Sequence, residues 1–162
     1  MKKFLTLIVA VTILITLTSF GFAQSGAKQK PQIQRDAEME KDAYHNLEVA
    51  RHYFKTRKAY VAALQRSEEI IAANPAFSRI DEALFMAGQS SLNLAEGKGK
   101  QKSSLYVIHE GETKKTLTSE QFRELARGFF TQLVNSYPES SFRGPAEDAL
   151  RTLGGKTVSG KQ

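Results

Sequence analysis

His45, Glu48 and His52 fall at i, i+3 and i+7, so a helix through them carries two imidazoles and a carboxylate on one face. These are zinc-ligand types. The two histidines stand two helical turns apart, roughly 10 Å along the axis, too far for one ion without further ligands. The trio therefore reads as a polar face, and no metal is expected. Gly154-Gly155-Lys156-Thr157 echoes the end of a phosphate-binding loop, but Leu150 occupies the place of the required earlier glycine. Gly97 and Gly99 among lysines make a flexible loop. The acidic pairs Asp81-Glu82 and Glu147-Asp148 sit at predicted helix starts, where negative charge suits the dipole. There is no cysteine, hence no disulfide, no thiolate ligand and no sulfur nucleophile. No Gly-x-Ser-x-Gly elbow occurs either. No acid, base or nucleophile set converges, as a wall hydrolase would need, so neither enzymatic activity nor a cofactor is expected.

The elements that hold these residues are helical by period. Asp36 to Arg57 places Tyr44, Leu47, Ala50 and Phe54 on one stripe with no internal Gly or Pro. After a turn at Lys58-Ala59, Tyr60 to Ala73 forms a second helix, stopped by Asn74-Pro75 because proline disfavours helix in the residue before it. Ser78, with Asp81 three residues on, predicts the cap of a third helix ending near Ala95. Thr118 and Gln121 form a capping box for a fourth over Ser119 to Ser136, which Tyr137-Pro138 ends. A short last helix is expected over Pro145 to Leu153. Between the third and fourth helices, residues 96–118 are an insertion: a polar loop, then a small hairpin with strand-prone Leu105 to Ile108, a turn at Glu110-Gly111 and a return over Thr113 to Leu117.

Lys2 and Lys3 precede an apolar run from Phe4 to Thr18, and Gly21-Phe22-Ala23 supplies small residues before Gln24. This pattern predicts a signal peptide over residues 1–23 and export to the periplasm. The alternative is an inner-membrane anchor over residues 4–23, the only expected contact with a membrane. Residues 24–35 read as a flexible lead-in, 36–155 as the helical domain and 156–162 as a loose tail. Hydrophobic residues at 41% can build a core without staples. The net charge is +6, of which Lys2 and Lys3 supply two. Acids and bases alternate over Arg35 to Lys58 and Arg123 to Arg151, so no large single-sign stripe and no nucleic-acid partner are expected.

The helix endings repeat. Ile70 to Pro75 parallels Leu133 to Pro138, and Ala83-Leu84-x-x-Ala87-Gly88 parallels Ala149-Leu150-x-x-Leu153-Gly154. Small residues at Ala63, Gly88 and Ala126 suit closely approaching helices. Leu47, Ala50, Phe54, Tyr60, Ala63 and Pro75 match the large and small positions of the tetratricopeptide repeat, which this chain resembles from Ala43 to Gly154. Arg51 departs from the pattern, standing where that family usually has a small residue. The phrases NPAFSRIDEALFMAG and FFTQLVNSYPESSF are similar to bacterial envelope members of the family, the group of the outer-membrane assembly lipoprotein BamD and the periplasmic TolA-binding protein.

The resemblance implies an all-α fold: antiparallel helical hairpins stacked as a short right-handed solenoid, with the small loop or β-hairpin insertion. It implies a periplasmic protein-binding scaffold serving envelope or outer-membrane assembly. Its partners would be envelope proteins, with a homo-oligomer possible because so few repeats leave apolar ends. The alternative is a membrane-tethered structural adaptor in an oligomeric complex. The partner-facing residues it implies are His45, Glu48, His52 and Lys55 on the first helix, with Phe85, Gln89 and Asn93 on the third. The insertion adds Tyr106 and Ile108, as a recognition flap or as a tolerated surface loop.

Overall fold

A computed structural model describes residues 36–154. The leader, the lead-in and the tail expected from the sequence lie outside them. The described chain is mostly helical, with one small antiparallel two-stranded sheet. In chain order the elements are α1 (Ala37–Arg51), α2 (Tyr60–Ala73), α3 (Ile80–Ala95), β1 (Val107–Glu110), β2 (Thr113–Thr116), α4 (Ser119–Ser136) and α5 (Arg143–Gly154).

Three boundaries differ from the sequence reading and a fourth agrees with it. The first helix does not run on as one α-helix to Arg57. From His52 to Arg57 it widens into a π-helical turn, closed by Lys58 in the left-handed region at φ 50°. The Tyr53 carbonyl accepts from both Lys58 and Ala59 N–H there, so the wide turn leaves fewer orphan groups at the helix end. Ser78 does not cap α3. Its hydroxyl shares a 3.0 Å hydrogen bond with the Tyr44 phenol, and its N–H donates to the Glu40 carboxylate at 3.1 Å. Asp81, the other half of the expected cap, accepts from the Ser140 hydroxyl at 2.6 Å. Both residues therefore join elements instead of closing one end. Finally, α5 starts at Arg143, two residues early, because Pro145 then falls in the first turn, where a missing N–H costs nothing. The capping box of α4 forms as Thr118 and Gln121 predict.

Each helix packs on its sequence neighbour. Gly88 of α3 lies against Phe130 of α4, and a Cβ at that glycine would stand 2.5 Å from the ring. Leu94 shares a core cluster with Phe122, and Leu84 shares another with Leu133, so α3 and α4 run oppositely. Contacts between α1 and α3 rise together in number: Tyr44 with Phe77, then Arg51 with Glu82. Asp81 with Ser140 and Phe85 with Phe142 do the same for α3 and the start of α5. The odd-numbered helices therefore run side by side in one direction, with α2 and α4 behind them in the other.

Three apolar clusters fill the interior. Ala43, Leu47 and Ala50 of α1 meet Ile70, Phe77, Ile80, Ala83 and Met86. Val61 and Leu64 meet Leu94, Tyr106 and Phe122. Leu84 meets Ala126, Phe130, Leu133, Ala146 and Leu153. Ile71 touches all three, which makes one continuous core.

Candidate functional site

A hollow of about 140 Å³ opens across the odd-numbered helices. The π turn after α1 contributes Phe54 and Lys55, α3 contributes Glu82, Phe85, Met86 and Gln89, and Phe142 comes from just before α5. The aromatic wall is fixed by packing. Phe85 stacks on Phe142 at 5.0 Å between centroids and leans on Phe130 at 6.0 Å, while Phe54 meets Tyr60 at 5.3 Å.

One edge is ionic. Glu82 is buried, and its two oxygens accept from Arg51 Nε and Nη2, both at 2.6 Å. Arg79 pairs with the same carboxylate, and Arg51 also binds Glu48. Burial pushes the Glu82 carboxyl up, but the Arg51 hydrogen bonds and the charges of Arg51, Arg79 and Lys55 more than reverse this, holding it below the usual carboxylate range. The same contact with Glu82 raises the Arg51 guanidinium, against the opposing effect of its burial. Arg51 thus fills the place where the resemblance implies a small residue, and its charge is matched by the carboxylate opposite.

Of the residues that the resemblance implies for a partner, Lys55, Phe85 and Gln89 line this hollow, and Glu48 touches its edge through Arg51. His45 and His52 are exposed and stand outside it, with His52 beside the Tyr53 ring. Asn93 turns back along its own helix, donating from Nδ2 to the Gln89 carbonyl at 2.9 Å. Tyr106 and Ile108 point inward instead of projecting as a flap. Tyr106 is buried against Phe122 and donates from its hydroxyl to Glu68 at 2.8 Å, and Ile108 is half-buried on the same cluster. Leu105, by contrast, is exposed.

The sequence reading missed Phe54, Glu82, Met86 and Phe142 as wall residues. Phe54 and Met86 sit on apolar stripes that predict core. Phe142 lies in a polar link, where a lone aromatic was the one available signal. Among the described residues no group of three or more His, Asp or Glu side chains is placed to hold a metal ion, and no helix is long and apolar enough to cross a membrane. Comparison with protein-family models, with curated proteins and with solved structures finds no match.

Proposed function

We propose that this chain is an exported protein-binding scaffold of the tetratricopeptide type, working in the bacterial periplasm on a protein of the cell envelope. The observation that carries this reading is the hollow across the odd-numbered helices, walled by Phe54, Phe85, Met86 and Phe142 and edged by fixed charges. Its volume matches a single aromatic or branched side chain, since an apolar cavity of about 150 Å³ takes up benzene. Interfaces draw most of their energy from a few such anchors seated in pre-formed pockets. Two layers of alternating helices, with small residues at Ala63, Gly88 and Ala126 on the packing faces, support the repeat assignment. Lys2, Lys3 and the apolar run after them support export.

A photoreactive amino acid at Gln89, installed in cells, tests the reading. The expected outcome is a discrete protein adduct from Gln89 that is absent when the same probe replaces Gln65, which is exposed on the other layer of helices. No adduct at Gln89, or equal adducts at both positions, would sink it.

A further inference from the structure

Folding gathers cations that the sequence keeps 40 residues apart. The end of the first helix carries Lys55, Arg57 and Lys58, and the loop after α3 carries Lys98, Lys100 and Lys102. The two segments are tied together. Lys100 N–H donates to the Lys58 carbonyl at 2.9 Å, Gln101 Oε1 accepts from the Ala62 N–H at 3.1 Å, and Gly99 at φ 92° lies so close that a Cβ would stand 2.5 Å from Tyr60. All six cationic side chains are exposed. Lys98 pairs with Glu96, and Lys55 faces Glu82 across the hollow. Among the described residues, Arg57, Lys58, Lys100 and Lys102 pair with no carboxylate. A cationic edge is therefore assembled from two segments, one of them outside the stretches whose charges alternate along the sequence.

Five arginines elsewhere on the helices are balanced locally. Arg66, Arg123, Arg127, Arg143 and Arg151 each pair with an acid three or four residues away. Crowding like charges raises the energy of the fold unless a counter-charge arrives from outside. The hydrogen bonds above hold the loop in that crowded place.

We infer that this cationic edge receives an acidic segment of a polypeptide partner, whose neighbouring apolar side chain enters the hollow; the inference rests on the scaffold reading. Lys55 lines the hollow and lies in the same π turn as Arg57, which Lys58 ends, so the hollow adjoins the edge. A polypeptide supplies an anchor side chain and a row of carboxylates at adjacent positions, which matches one apolar socket next to a row of ammonium groups. Such pairing sets orientation and speeds encounter more than it adds affinity.

Selection of displayed random dodecapeptides on the purified full chain tests the inference. Recovered peptides should combine Asp or Glu runs with one adjacent aromatic or branched residue. Arg57→Glu with Lys100→Glu should weaken the best peptide about tenfold or more at low salt, and Gln89→Trp, which fills the hollow, should also weaken it. Far-ultraviolet dichroism should be unchanged in both variants. Apolar peptides lost in Gln89→Trp but indifferent to the charge reversal would overturn the acidic occupant and leave the scaffold reading standing. Peptides indifferent to both variants, or no recovered peptide, would overturn both. Tighter binding of polyuridine RNA or of phosphatidylglycerol vesicles than of any peptide would show that the edge serves a different class of partner.

Discussion

Where Gly88 meets Phe130 a single methyl group is decisive, because a Cβ there would stand 2.5 Å from the ring. The Phe130 ring is fully buried, so it has no room to yield. Gly88→Ala should therefore cost about 1–3 kcal/mol despite the better helix propensity of alanine. A lowered urea midpoint would register the loss, and an unchanged one would mean that α3 and α4 do not meet here. Glu82 gives a second expectation. Its carboxyl titrates near 4.5 when unfolded and lower when folded. The stability it contributes is full above the unfolded value and is lost as pH falls through the folded one. Melting temperature should thus drop on acidification below about pH 4.5, and Glu82→Gln should flatten that part of the profile while lowering stability at neutral pH. A variant with the same acid limb as the parent would remove Glu82 from the account.

At the scale of elements, the insertion is part of the core and not an appendage. Tyr106 lies against Phe122, and its hydroxyl bonds Glu68. Burial raises the Glu68 carboxyl, and the Tyr106 hydrogen bond partly offsets this. A raised carboxyl contributes stability below its unfolded value and loses it as pH rises through the folded one. Without the phenol the charged form is poorer still. Tyr106→Phe should therefore destabilise the fold by about 1 kcal/mol near pH 7 and by less at pH 4, with faster amide exchange in β1 and β2. Equal effects at both pH values would show that the hydroxyl does not serve the Glu68 charge. Thr118→Ala removes one bond of the α4 capping box and should cost about 0.5–2 kcal/mol in denaturant titrations. A cost within error would show the box to be an ornament of a helix held by its packing alone.

For the whole molecule, continuity of the three clusters through Ile71 predicts one cooperative unfolding transition for residues 36–154. Replacing residues 103–117 with a Gly-Ser linker uncovers Phe122 and its neighbours. It should lower stability by about 2–4 kcal/mol while keeping a single transition. Unchanged melting would reduce the hairpin to a surface loop. The hollow and the cationic edge both belong to this scale, since each needs side chains from three or two separate segments.

Much of this was legible along the chain. Helix placement follows from apolar period and from proline stops, so α2 and α4 appear in the sequence with the bounds they have in the fold. Lys55, Phe85 and Gln89 could be picked out only through the resemblance, which implies them as partner-facing positions. Bonds between elements could not be read, because a hydroxyl or carboxylate near a helix start can serve its own backbone or a neighbour equally well. Ser78 and Asp81 took the neighbour. The π turn, the Arg51–Glu82 pair and the meeting of Lys58 with Lys100 were likewise decided only in three dimensions. Local periodicity sets which residues share a face, but charge and volume complementarity across 30 or 40 residues depend on which faces then come together.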